Sequence, residues 1–396
     1  MKKSQKNKRI FLDHASTTPV LPKVFLAMKP YLSSEFANPS ALYAEGVAIR
    51  RVVAKARTTI AKTISAQSDE IIFTGSGTEA DNLAIFGIVR ALKGIVKNPH
   101  IAVSALEHPA ILEAVEVLKK EGVEVTVLYP NQDGIIRPGD VFKALKKNTV
   151  LVSIMYANNE IGTIEPIHDI AKAIRQFRKS KTKESYLPYF HTDASQAANY
   201  LPIGVPQLGV DMMTLDASKI YGPKGIGMLF VRRGITLTPM IFGGGQERGL
   251  RSGTENVASI VGLAEALTSA QSGRVKESKR ISTLRDWFVK EILKKFPEAH
   301  INGGMEYRLP NNINICFPGI DGEFAVILFD AEGIAISSSS SCQTLKDSSR
   351  SYVIDSLGKK DDCAESSLRI TLGRGTTKNN LVYALRVFKK IASYVS

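Results

Sequence analysis

Between residues 70 and 233, short apolar runs alternate with longer segments whose apolar residues recur at helical spacing. The runs at 70–73, 101–104, 123–128, 150–155, 189–192 and 228–233 read as strands. The segments 109–120, 141–147 and 166–179 read as helices, and another begins about Thr78. A helix between successive strands makes them parallel neighbours, so the pattern predicts an α/β fold with a largely parallel sheet. In such sheets ligands gather at the carboxyl ends of the strands. Thr78, His108, Asn159, Asp193 and Lys219 each fall just after a predicted strand.

Lys219 follows the apolar run 210–215, and three glycines and a proline crowd the six residues 222–227 behind it. Tight turns there pin the lysine at a strand end. Desolvation or a neighbouring cation lowers the pKa of a lysine held in that way, which suits it to a Schiff base. The plainer alternative is a lysine facing water on a basic protein. The stretch Thr74-Gly75-Ser76-Gly77-Thr78 is a strand running into a glycine-rich turn and a helix start. Backbone N–H groups and the helix dipole favour a phosphate at such a place, although Gly-Ser-Gly alone also fits an ordinary strand–helix turn.

Beyond residue 254 the rhythm changes. Helices are predicted at 255–270, 275–296, 322–332 and 378–394, with short strands at 312–317, 335–337 and 368–372. This reads as a smaller α+β domain, 273–396 together with 1–17, beside a large domain 18–272. Residues 337–341 are five serines in a row, followed by Cys342. A thiol on a polar loop is accessible and nucleophilic as thiolate, or else incidental to a linker. Cys316 lies in an apolar strand pattern and reads as inert core. Cys363 stands among acids that disfavour a thiolate. The three cysteines have no metal-type spacing and suggest no disulfide framework, so a reducing, cytoplasmic setting is expected. No apolar run is long enough to cross a membrane, and the basic residues 1–9 lead into no signal sequence. The net charge of +14 is compatible with a polyanionic partner, but no RNA-binding motif with interleaved aromatics accompanies it, so direct nucleic-acid binding is not expected.

In order along the chain stand Leu12-Asp13-His14-Ala15-Ser16-Thr17-Thr18-Pro19, Thr74-Gly75-Ser76-Gly77-Thr78-Glu79, Glu107-His108, and Asn158-Asn159-Glu160-Ile161-Gly162. They continue with His191-Thr192-Asp193-Ala194-Ser195-Gln196, Ser218-Lys219-Ile220-Tyr221-Gly222-Pro223-Lys224-Gly225, Glu247-Arg248-Gly249-Leu250-Arg251-Ser252-Gly253-Thr254, the Cys342 loop and the stretch 369–374. Each is weak alone. Together they resemble the cysteine desulfurase family, class V aminotransferases within the fold type I pyridoxal phosphate enzymes. The resemblance implies a large domain with a mostly parallel, seven-stranded sheet flanked by helices, plus a smaller α+β domain. It implies a homodimer that takes sulfur from L-cysteine, releases L-alanine and leaves a persulfide on Cys342. Sulfur-acceptor proteins for iron–sulfur assembly or for tRNA or cofactor thiolation would then collect the sulfur.

The same resemblance assigns roles. Lys219 holds pyridoxal phosphate covalently and shuttles the Cα proton. Asp193 pairs with the ring nitrogen, keeping the ring an electron sink. His108 stacks on the ring, and Gln196 and Asn159 bond its phenolic oxygen or that neighbourhood. Gly77 and Thr78 hold the phosphate, and Thr254 reaches it across the dimer. Arg369 grips the substrate carboxylate, and Asn38 lies on the substrate side. The chain departs from the family at Asp216-Ala217-Ser218, where Ser-Gly-His is usual. Asp216 places negative charge near the phosphate, while Ser218 retains one hydrogen bond for it. Two other readings stand beside this one, the second motivated by the net charge of +14 and by Asp216-Ala217-Ser218. One is a selenocysteine lyase or another class V enzyme in which Cys342 is dispensable. The other is a basic, RNA-associated scaffold that has lost catalysis.

Overall fold

The computed structural model describes residues 9–181, 187–338, 350–358 and 362–395. The chain opens with β1 (Ile10–Phe11), α1 (Pro22–Met28) and α2 (Ala44–Thr63). Helix α2 buries Ile49, Val53, Ala56 and Ile60 along one stripe and leaves much of its basic face to solvent. There follow β2 (Ile71–Thr74), α3 (Gly77–Ala91), β3 (His100–Ser104), α4 (Pro109–Lys120), β4 (Glu124–Leu128) and α5 (Pro138–Ala144). Next come β5 (Thr149–Ser153), α6 (Ile167–Lys181), β6 (Tyr189–Asp193), α7 (Val205–Leu208), β7 (Met212–Asp216) and β8 (Gly227–Val231).

These strands form a seven-stranded sheet in the order β2-β8-β7-β6-β5-β3-β4. Only β8 is antiparallel to its neighbours, because it is reached from β7 by the Gly/Pro turn rather than by a helix crossover. Alternate residues feed two cores. Ile71 and Phe73 join Phe190, Met213 and Leu263 on one face; Ile72 joins Ile85, Ile101 and Leu229 on the other. Burying such a side chain contributes roughly 1.5–3 kcal/mol, so the sheet is a rigid platform for whatever its strand ends carry.

The second body consists of α8 (Val257–Lys295), β9 (His300–Ile301), β10 (Asn312–Cys316), α9 (Gly322–Ala331), β11 (Ile334–Ala335), β12 (Ser337–Ser338), α10 (Tyr352–Asp355), β13 (Ser367–Thr371) and α11 (Lys378–Val395). Strands β12, β13, β10 and β9 form an antiparallel sheet, while β1 pairs in parallel with β11. Two helices were expected over 255–296, yet α8 runs unbroken through Gly273. A single glycine costs a helix only about 1 kcal/mol, and tertiary packing on both sides offsets that. The first half of α8 packs Ile260, Leu263 and Leu267 on the large core, and the second half packs Ile281, Phe288 and Ile292 on the small one. The expected boundary at 272/273 therefore lies inside a helix.

The cysteines depart from the expectation of an inert core thiol and no disulfide. Cys316 on β10 and Cys363 are joined by a disulfide, with His300 Nε2 3.0 Å from the Cys363 sulfur. Their separation of 47 residues gives no hint of it. The β10–β13 register places Cys316 opposite Ser367, and so beside the turn that carries Cys363. Among the described residues no helix is long and apolar enough to cross a membrane.

Candidate active site

Five parallel strands end around one cavity of about 250 Å³. Residues just beyond β2, β3, β5 and β7, and the last residue of β6, bring Thr78, His108, Asn159, Lys219 and Asp193 to its wall. Three larger openings, about 700, 660 and 570 Å³, bring no lysine, histidine and carboxylate together.

Lys219 ends a single turn of 3-10 helix directly after β7. A strap from the N-terminus roofs it: Thr18 donates to the Ser218 carbonyl from its amide (2.8 Å) and its hydroxyl (2.7 Å), and Tyr221 N–H donates to Thr18 Oγ1 (2.7 Å). Tyr221 adopts a positive φ of 63° to make that turn. Lys219 Nζ donates to the Ser16 carbonyl at 2.5 Å. Gln196 Nε2 donates to the neighbouring Ala15 carbonyl at 2.9 Å. The lysine head and Gln196 are thus both positioned by the same strap.

Asp193 closes β6 and accepts the Ser195 N–H at 2.8 Å. Burial raises its pKa, against lowering by the Ser195 bonds and by His108. His108 caps α4 with Nδ1, which accepts the Ala110 N–H at 3.1 Å. That bond leaves the ring proton of neutral His108 on Nε2. Burial lowers the His108 pKa, with Asp193 opposing and Lys219 adding to the shift, so the ring is neutral.

Arg369 arrives from the second body on β13 and is 2% exposed. It donates to Asp13 Oδ1 (3.0 Å), Ser337 Oγ (3.2 Å) and the Asn159 carbonyl (3.4 Å). Glu160, next to Asn159, is pushed up to about 7 by burial, against the Ser351 hydroxyl at 2.7 Å and the charge of Arg369.

At the other end of the cavity stands the N-terminus of α3. Ser76 caps it, accepting the Glu79 N–H at 3.1 Å. Glu79 in turn accepts the Gly75 N–H at 2.8 Å and is held by Arg251 Nε at 2.9 Å. Gly227 must be glycine, because a Cβ there would lie 2.5 Å from the Ser76 carbonyl carbon. The Asp216 carboxylate reaches this helix start and accepts the Gly77 N–H at 2.9 Å. It also accepts the Ser218 N–H (2.7 Å) and hydroxyl (2.6 Å).

The cavity therefore gathers Lys219, Gly77, Thr78, His108, Asn159, Asp193, Gln196 and Arg369. It does not gather Asn38 or Thr254, which are both exposed; Asn38 forms a turn with the Ser40 N–H at 2.8 Å. The Ser218 hydroxyl is turned to Asp216 rather than into the cavity. Cys342 lies outside the described residues. Sequence reasoning missed Asp81, Ser16 and Met155 on the wall. Asp81 is 2% exposed, and burial together with the charges of Asp193, Glu107 and Asp216 raises its pKa well above the ordinary carboxylate range. A polar residue among the buried Ala80, Leu83 and Ala84 of α3 was the available signal.

The aminotransferase class-V family model matches residues 10–383. The chain is 43% identical over 384 residues to the cysteine desulfurase IscS of Dictyoglomus turgidum, covering 97% of this chain and 94% of that protein. It is 39% identical over 389 residues to the cysteine desulfurase IscS of Methanosarcina thermophila, covering 98% and 93%. Among solved structures it resembles a NifS-like protein (TM-score 0.89, 32% identity, 98% of this chain and 100% of that one). It also resembles SspA in complex with cysteine (TM-score 0.77, 34% identity, 92% and 98%). Whole-chain identity and the strand-end residues agree: the chain belongs to the cysteine desulfurase family of the class V aminotransferases.

Proposed function

We propose that the protein is a pyridoxal phosphate-dependent cysteine desulfurase, in which L-cysteine gives up its sulfur to Cys342 and leaves as L-alanine. The observation that carries this reading is the meeting of Lys219, Asp193, His108 and Arg369 around one cavity. The residues present fit the cofactor's ring. Asp193 is a buried carboxylate suited to a pyridinium nitrogen, His108 offers a neutral face, and Lys219 offers an amine. Gly77 and Thr78 at the start of α3 suit a phosphate, with Asp216 as a competing anion. When bound, pyridoxal phosphate supplies an electron sink for carbanion chemistry at the substrate Cα.

The chain's own residues do the rest. Arg369 binds the substrate carboxylate, and its position on β13 ties that grip to the small body. Lys219 Nζ takes the Cα proton and later returns one. His108 carries a proton on Nε2, within the same wall, for the departing or arriving group. The Cys342 thiolate attacks the substrate sulfur; the Cβ–Sγ bond breaks, a sulfur–sulfur bond forms on Cys342, and the Cβ regains a proton. Atoms and electrons balance without an external oxidant.

A homodimer belongs to this reading. Exposed apolar side chains such as Leu26, Phe36, Leu42 and Phe242 support it, as does the exposed position of Thr254, which would serve the partner's phosphate. The sulfur passes to acceptor proteins. The test is purified protein with L-cysteine and a reductant. Sulfide and alanine should appear in equal amounts and vanish in Cys342→Ser. Cofactor binding without sulfide would shift the reading to another class V reaction, and activity of Cys342→Ala on selenocysteine alone would favour a lyase.

A further inference from the structure

The cavity wall holds three carboxylates, Asp81, Asp193 and Asp216, against two cations, Lys219 and Arg369, with His108 neutral. Burial and its acidic neighbours raise the Asp81 pKa well above the ordinary carboxylate range. The other two carboxylates offset the two cations. A phosphate dianion entering this wall meets no net positive charge, and relies on the N–H groups at the start of α3. One of those donors already has an anionic partner: Asp216 Oδ2 accepts the Gly77 N–H at 2.9 Å. Asp216 Oδ1 holds two further donors, the amide and hydroxyl of Ser218, at 2.7 and 2.6 Å. The contact is close-packed, since a Cβ at Gly77 would lie 3.1 Å from the Asp216 Cβ.

We propose that Asp216 is a built-in anion that stands in for the cofactor phosphate at the start of α3, weakening the grip on the phosphate and making the cofactor exchangeable. The proposal rests on the pyridoxal phosphate reading given above. For the phosphate to reach Gly77 N–H, the Asp216 carboxylate must withdraw, and that step subtracts from the binding. Asp216 hydrogen-bonds none of Asp193, His108 and Gln196 among the described residues and reaches the ring end only through its charge, a minor influence that raises the pKa of Asp193 and His108. Asp216 is therefore a specificity-determining residue: it lowers the advantage of the phosphorylated cofactor over its dephosphorylated form. It also keeps the Gly77 N–H, one of the donors that a helix start leaves free, satisfied before the cofactor arrives.

The experiment uses the full chain stripped of cofactor and titrated separately with pyridoxal 5′-phosphate and with pyridoxal, reading the visible absorption band that each gives on binding. Removing a like charge at this range strengthens binding by about 10- to 100-fold. Asp216→Ser should tighten pyridoxal 5′-phosphate by that factor and leave pyridoxal within about twofold, so that their ratio rises. Asp216→Asn removes the charge while keeping one acceptor for Gly77 N–H, and should raise the ratio by a smaller factor; it serves if the serine variant folds poorly. Inorganic phosphate is an independent probe. It should raise the melting temperature of cofactor-free Asp216→Ser but not of the unaltered protein. An unchanged ratio in both variants, or weaker phosphate-dependent binding, overturns the proposal alone. No band with either ligand in any form overturns the cofactor reading and the proposal with it.

Discussion

Two aspartates finish neighbouring parallel strands and face opposite ends of one cavity. Asp193 closes β6 and has one described backbone donor, the Ser195 N–H. Burial holds its pKa up, and a cationic ring nitrogen would relieve that cost. Asp216 closes β7 and already has three donors, from Gly77 and Ser218. One end of the site is short of a partner, and the other is supplied from within. The same residue type at equivalent strand positions thus plays opposite parts, set by which backbone donors each carboxylate meets.

The largest effects should come from the end that lacks its partner. Lys219→Ala should abolish the visible band of bound cofactor and lower sulfide formation by about 10²–10⁴-fold or more. Asp193→Asn should lower turnover by roughly 10²-fold, as loss of one preorganised electrostatic partner does, while the protein still folds. Tightening of the cofactor by Asp193→Asn would break the contrast, because that is the outcome reserved for Asp216. Turnover and cofactor affinity measured side by side on both variants decide it.

Much of this was legible in the sequence because it depends on order along the chain. The alternation from residue 70 to 233 encodes the parallel sheet, and residues just past strand ends must meet at its carboxyl edge. That is why order along the chain is enough to bring Lys219, Asp193, His108 and Thr78 to one cavity. What escaped depends on pairing across the chain. Cys316 and Cys363 meet only through the β10–β13 register. Asp216 and Gly77, 139 residues apart, meet because β7 and α3 lie side by side, and sequence reading placed charge near the phosphate without saying which donor it holds. Asp81 carries only a faint local mark, a polar residue among the apolar positions of α3, which gains its meaning once the helix face is packed. The unbroken α8 shows packing overriding a local breaker at Gly273.

A third carboxylate sharpens the rule that donors decide, in a place far from any catalytic role. Glu165 is 2% exposed and accepts one backbone bond, Ile136 N–H at 2.9 Å. Burial pushes its pKa up to about 8 from an ordinary 4.5, with the Ile136 bond opposing. A raised folded pKa means that the folded chain binds the proton more tightly. Its contribution to stability is full below pH 4.5 and is lost as pH rises through about 8. Glu165→Gln keeps an acceptor for Ile136 and removes the titration. Melting curves should show the variant gaining on the unaltered protein between pH 5.5 and 8.5, by on the order of 3 kcal/mol. Parallel pH profiles would mean that the carboxyl is solvated.

The smallest effect tests whether the anion end is rigid by itself. Glu79 ties Gly75 N–H to Arg251, with both side chains about a quarter exposed (23% and 27%). Solvent screening at that exposure keeps such a pair near 0–1 kcal/mol. Glu79→Gln retains an acceptor for Gly75 and loses the ion pair, so the melting temperature should fall by only about 1–3 °C. The ratio of pyridoxal 5′-phosphate to pyridoxal affinity should stay within about twofold, because Asp216 rather than Glu79 holds the Gly77 donor. A large change in that ratio would show that loop geometry, not the competing carboxylate, sets the phosphate grip. The contrast between the two aspartates would then reduce to a difference in loop order.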